Sequence, residues 1–251
     1  MRLHPLCQLG AADRVTVLNV VSGFWAILTV PLSIVAGGSS LTSVFGYSVG
    51  VGLTARLILL GAIADGLDGV LARRGSGSAV GALMDSIADV VSFGVAPAVF
   101  VFGVAWMEWN GTGAGPVLTL RFVGVAVITT AFVVSSILRT AVYTVADTAD
   151  SFRGGVPNTL AATILAVAYL AGFDSTVLLL AMMGVLSYLM LVRTPYPGLR
   201  ARDALSAGTV QATVVIAPAG LRPWFARVLL LAAFAYLVLG PVSYRSRGIA
   251  K

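Results

Sequence analysis

Charge is what this 251-residue chain has least of: Asp, Glu, Lys and Arg make up 10% of it, against about 25% in a soluble domain. With a hydrophobic share of 58% and a mean hydropathy of +0.97, that scarcity excludes an ordinary soluble domain and predicts a polytopic membrane protein. Cysteine is limited to Cys7, which excludes an intramolecular disulfide, and His4 is the one histidine, so no His/Cys set is available to hold zinc. A secretory signal pattern is also missing: Asp13 and Arg14 precede the first long apolar run, and no small-residue cleavage site follows a short one. The first span is therefore expected to be retained. The net charge of +6 and pI of 10.0 would suit nucleic acid, but the cations are spread along loops and helix ends. That distribution predicts topology signals and contact with anionic membrane lipids, and no nucleic-acid partner.

A membrane span takes about 20 apolar residues at 1.5 Å each. The runs predict spans near 15–37, 46–72, 80–106, 118–146, 157–172 and 174–193, then a run near 203–218 broken by Gln211 and Pro218, and a last one near 225–243. The expected fold is an all-α polytopic membrane bundle of six core transmembrane helices plus one or two C-terminal helices. Its expected division is a membrane domain over 1–195 and a helical extension over 196–251. With the N-terminus cytoplasmic, the loops holding Arg73 and Arg74, Arg153, and Arg193, Arg200 and Arg202 fall inside, as do Arg245, Arg247 and Lys251 if there are eight spans. Arg222 and Arg227 break the bias. The protein is expected in the cell membrane with its polar cluster facing the cytoplasm.

That cluster holds four of the ten acidic residues: Asp65 and Asp68 end the second run, and Asp85 and Asp89 open the third. A carboxylate at mid-bilayer costs at least about 2.5–3.5 kcal/mol, and four together repel unless cations sit between them. Spacings of three and four put each pair on one helix face. The short linker from Arg74 through Val80 is rich in Gly and Ser, which predicts a turn and two antiparallel neighbouring helices with the acids converging. All-oxygen ligands suit a hard divalent cation: Mg²⁺, Mn²⁺ or Ca²⁺. The bare positions Gly66, Gly69, Ala72, Gly81 and Ala88 serve either close helix packing or room for a bulky ligand such as a nucleotide. Arg73 is either a phosphate partner or a positive-inside residue.

The pattern Asp65-x-x-Asp68-Gly69-x-x-Ala72-Arg73, then Gly81-x-x-x-Asp85-x-x-x-Asp89, resembles the signature of the CDP-alcohol phosphotransferases. The run from Ser86 to Ala98, with Ser92-Phe-Gly-Val-Ala-Pro97 inside it, is similar to that of the serine-using branch. Weaker resemblance reaches Thr16 to Phe24, Leu138-Arg139 and Gly155-Val-Pro157, so roughly residues 15–170 are covered. Seven residues separate Arg73 from Gly81 where eight are usual, and Val142 and Thr144 stand where bacterial serine enzymes often carry Arg and Asn. The runs after Leu138 and Thr159 look more like archaeal members, which use a CDP-activated archaeol.

The resemblance implies that a serine hydroxyl attacks the β-phosphorus of a CDP-lipid, with CDP-archaeol or CDP-diacylglycerol as donor, L-serine as acceptor and CMP released. It implies two divalent ions, Mg²⁺ or Mn²⁺, held by Asp65, Asp68 and Asp85. Asp89 becomes the general base and a further metal ligand. Gly69, Ala72, Gly81 and Arg73 would receive the nucleotide and its phosphates. Asn19 is either a nucleotide contact or an interhelical polar contact. Arg139 either binds the acceptor or snorkels. A homodimer is implied as well. Within the family, glycerol phosphate or inositol phosphate is the alternative acceptor. Outside it, a membrane prenyltransferase would release pyrophosphate in place of CMP, and an ion channel or cation transporter would spread its acids over several spans.

Overall fold

A computed structural model describes residues 9–35, 50–78, 80–109, 116–146, 154–192, 194 and 201–248. His4, Cys7, Arg153, Arg193, Arg200 and Lys251 lie outside the described residues. The described chain is all helix and turn. It forms α1 (Ala11–Val35), α2 (Val51–Leu71), α3 (Gly81–Trp109), α4 (Pro116–Ala146), α5 (Asn158–Leu170), α6 (Thr176–Leu191), α7 (Ala201–Ile216) and α8 (Arg222–Gly248). Each run predicted from hydropathy overlaps one of these helices.

Four of the helices contain a stretch long and apolar enough to cross a membrane: Ala11–Val35, Gly81–Trp109, Thr119–Thr144 and Arg222–Pro241. The bundle is thus polytopic. α2 has 21 residues but carries Arg56, Asp65 and Asp68. α5 and α6 are shorter than expected, at 13 and 16 residues. At 1.5 Å per residue α5 is about 20 Å long, less than the roughly 30 Å hydrocarbon core. Its place in the bundle explains this: Ala161 through Ala168 are all buried, and α2, α6 and α8 pack on it.

Glycines set the closest helix contacts. α1 runs along α2, where Gly61 faces Asn19, and against α3, where a side chain at Gly23 would strike Ser92. α3 contains a π turn at Val90–Val95, starting one residue after Asp89. Within it Ser92, Phe93 and Gly94 are buried; Ser92 Oγ donates to the Asn19 carbonyl at 3.0 Å, and Gly94 lies against Ser136 of α4.

The linker expectation needs one correction. α2 runs on through a π turn, Ala72–Ser76, which Gly75 breaks at φ 85°, and the chain reverses into α3. At the acid-bearing end, however, α2 and α3 do not pack on each other. α1 packs against both there, whereas α2 meets α3 closely from the π turn at Val90–Val95 onward. The carboxylates therefore project into a gap.

The C-terminal helices close the far side. α7 packs on α2, and its buried Gln211 donates from Nε2 to Thr163 Oγ1 of α5 at 3.4 Å, which accounts for a glutamine in an apolar run. Arg222 donates to the Ala217 carbonyl at 2.6 Å and Arg227 to the Ala171 carbonyl at 3.2 Å. Both arginines that break the loop-charge bias thus cap helix C-termini, where a cation is favoured.

Candidate active site

The acids occupy the last two turns of α2 and the first turns of α3. One oxygen from each of Asp65, Asp68 and Asp85 lies within 4.8 Å of the other two. Asp89, one turn further along α3, is half-buried within electrostatic reach of Asp65, Asp85, Asp68 and Arg139. Two like charges at such a distance repel by about 3.5 kcal/mol at an effective dielectric of about 20. The arrangement persists ionised only with positive charge among the carboxylates.

Two threonine–carboxylate contacts define how the acids of α2 are held. Thr16 Oγ1 of α1 donates to Asp68 Oδ2 at 2.7 Å, and Thr159 Oγ1 of α5 donates to Asp65 Oδ2 at 2.9 Å. Asp85 Oδ1 and Asp89 Oδ1, on α3, are buried with no hydrogen-bond partner. Orphaned buried carboxylate oxygens are costly, and three convergent carboxylates, with no imidazole or thiol beside them among the described residues, are the donor set of a hard divalent cation. The residues present therefore fit such an ion. Sequence reasoning quoted Thr16 and Thr159 but gave neither a role; Thr16 stands three residues before Asn19 on the same face, while nothing local to Thr159 announces its partner.

Beside the acids is a cavity of about 210 Å³ between α3 and α4. Asp85, Asp89 and Arg139 supply its charged lining, and Ala82, Ser86, Thr140, Tyr143 and Thr144 the rest. Arg139 stacks over the Tyr143 ring at 4.2 Å, and its buried Nε has no hydrogen-bond partner. Ser86 and Thr144 hydroxyls hydrogen-bond each other across the cavity at 2.8 Å, and Asn158 Nδ2 donates to Thr140 Oγ1 at 2.8 Å. The geometry offers a cation, unpartnered carboxylate oxygens and small hydroxyls to a compact polar molecule.

The remaining sequence candidates are placed as follows. Asn19 is fully buried with both amide atoms unpartnered, its Oδ1 closest to Gly61. Gly69 lies along the Arg73 guanidinium, and Ala72 and Arg73 are exposed. Gly81 abuts the Asp13 carboxylate. Asp13 is buried and accepts from the Gly10 N–H at 2.7 Å and the Ser78 N–H at 3.4 Å, so the start of α1 is tied to the linker. The Ser92–Pro97 segment does not line the cavity; it is packed between α1 and α4.

Comparison with known proteins adds to the geometry. Residues 10–192 match the family model described as CDP-alcohol phosphatidyltransferase. The chain is similar to the archaetidylserine synthase of Methanothermobacter thermautotrophicus, 30% identical over 200 residues that cover 78% of this chain and 72% of the relative. It is also similar to the CDP-diacylglycerol–serine O-phosphatidyltransferases of Methanocaldococcus jannaschii, 40% identical over 92 residues, and of Saccharomyces cerevisiae, 37% identical over 100 residues. Those two alignments cover 36% and 39% of this chain and 34% and 33% of the relatives.

Proposed function

Since this chain belongs to the CDP-alcohol phosphatidyltransferase family, we propose that it transfers a lipid-phosphate group from a CDP-lipid to the hydroxyl of L-serine, releasing CMP. The observation that carries the reading is the convergence of Asp65, Asp68 and Asp85 within 4.8 Å beside a cavity lined by Asp89 and Arg139. The similar proteins support serine, because the names of all three contain it. Their names divide over the lipid, so CDP-archaeol and CDP-diacylglycerol are both donors to be tried.

In this reading Asp65, Asp68 and Asp85 hold two divalent ions, Mg²⁺ or Mn²⁺, with Asp89 as a further ligand. Bound there, the ions would neutralise the diphosphate and stabilise the leaving phosphate. Arg139 binds the serine carboxylate, its guanidinium plane held by Tyr143. Asp89 takes the hydroxyl proton as the oxygen–β-phosphorus bond forms and the bond to the CMP phosphate breaks, a role worth about 10²–10⁴-fold for a positioned base. Gly69, Ala72, Arg73 and Gly81 receive the cytidine diphosphate, and Asn19 contacts it from α1. We also read the fold as six spanning helices with one or two more at the C-terminus, divided near residue 195, working as a homodimer with the acid end facing the cytoplasm.

Glycerol phosphate or inositol phosphate is the competing acceptor. Arg139 is the one cation among the cavity-lining residues, which suits a single carboxylate better than a phosphate dianion. The test supplies purified protein with labelled L-serine, Mn²⁺ or Mg²⁺ and each CDP-lipid in turn. Label in lipid with stoichiometric CMP is expected. CMP release only with a phosphorylated alcohol would overturn serine, and pyrophosphate as product would overturn the reaction.

A further inference from the structure

The two α2 carboxylates are not held in the same way as the two on α3. Asp65 and Asp68 each have one oxygen engaged by a threonine from a different helix, whereas Asp85 and Asp89 each keep a buried oxygen without a partner. We infer that Thr16 and Thr159 are positioning residues. Each donates to Oδ2 of its aspartate and so holds the carboxylates of Asp68 and Asp65 at the ion site in a fixed rotamer. This rests on the metal reading above and adds residues to which no role has been assigned.

Four features support it. An ionised carboxylate only accepts hydrogen bonds, so each hydroxyl proton is committed to the aspartate. Thr16 Oγ1 also lies 3.3 Å from the Ala12 carbonyl, but the 2.7 Å contact to Asp68 is the shorter and is charge-assisted. Threonine in a helix is confined to two χ1 rotamers, so the backbone that carries it leaves its hydroxyl few directions. Those backbones are fixed: Thr16 is buried where α1 lies along α2, and Thr159 is in the first turn of α5, the most enclosed helix. Residues that hold ligating carboxylates through hydrogen bonds commonly matter 10–100-fold to affinity. The α3 acids have no threonine partner and each keeps Oδ1 unengaged.

The test is Mn²⁺ titration followed by electron paramagnetic resonance, on purified protein without CDP-lipid or serine. Thr16→Val and Thr159→Val keep the shape and remove the hydroxyl; Thr16→Ser and Thr159→Ser keep the hydroxyl. The valine variants are expected to bind Mn²⁺ about 10–100-fold more weakly, and the serine variants to stay within about 3-fold of wild type. Valine variants that elute as monodisperse protein and bind like wild type would overturn the inference while leaving the metal site standing. Serine variants as weak as the valine ones would also overturn it, because packing and not the hydroxyl would then be responsible. Wild-type protein that binds no Mn²⁺ would sink the metal reading and this inference together.

Discussion

Gly81 sits against the carboxylate of Asp13 so closely that a β-carbon at position 81 would overlap it. Asp13 in turn ties the Gly10 and Ser78 amides together, so one buried acid joins the start of α1, the linker and the start of α3. Gly81→Ala is expected to destabilise the protein by about 1–3 kcal/mol, the usual cost of overpacking. Adding Asp13→Ala should recover part of that loss, because the overlapped group is gone; the pair should be less than additive in thermal melts in detergent.

Asp89→Asn should keep Mn²⁺ and CDP-lipid binding but lose at least about 10²–10⁴-fold in turnover. Binding and single-turnover CMP release measured on the same preparation check this. Near-normal turnover in a folded variant would remove Asp89 from the base role.

Arg139 is expected to act on the acceptor alone. Arg139→Lys keeps the charge but loses the planar fork and the stack on Tyr143. The KM for serine should rise about tenfold or more, the equivalent of one lost charge-assisted contact, with the KM for the CDP-lipid unchanged. A rise confined to the lipid KM would place Arg139 on the donor side.

Chelation should abolish activity, and Mn²⁺ or Mg²⁺ should restore it. Mn²⁺ at a hundredfold excess over its Kd should stabilise the folded protein by about 2.7 kcal/mol. Asp85→Asn should diminish that stabilisation, since Asp85 belongs to the convergent trio. Equal Mn²⁺ stabilisation of wild type and the variant would argue that the ion binds elsewhere.

Orientation can be read by labelling. In a Cys7→Ser background, Arg74→Cys should react with an impermeant thiol reagent only from the cytoplasmic side of sealed vesicles. Phe173→Cys should react only from the other side; both positions are exposed, and α5 separates Phe173 from the acid-bearing end. The reverse pattern would turn the active site outward.

The local parts of this protein were legible before the fold was known. Hydropathy located eight helices, because apolar runs dictate helix wherever backbone groups lack water. Spacings of three and four placed each Asp pair on one face, because helix periodicity is a local property. What could not be read depended on which helix neighbours which. Thr159 reaches Asp65 across 94 positions, and Thr16 reaches Asp68 across 52. The gap between α2 and α3, with α1 packed against both, is one that no linker composition reveals. The brevity of α5 follows from its enclosure, and Gln211 looked like a break because Thr163 was not yet its partner. The Ser92–Pro97 segment resembles the serine-using branch, and its residues pack between α1 and α4, outside the cavity lining.

The π turn at Val90–Val95 makes α3 longer in sequence than a regular helix over the same rise. A regular helix advances about 100° per residue. The turn therefore acts as a phase adjuster between two demands made of one helix. Before it, Asp85 and Asp89 must face the gap; after it, Phe100 and Val101 must face the core, where both are fully buried. Deleting one residue inside the turn would leave a smoother helix that satisfies either the chemistry or the packing, but not both. An irregular stretch of backbone lets one rod turn its acids toward the gap and its aromatic rings into the core.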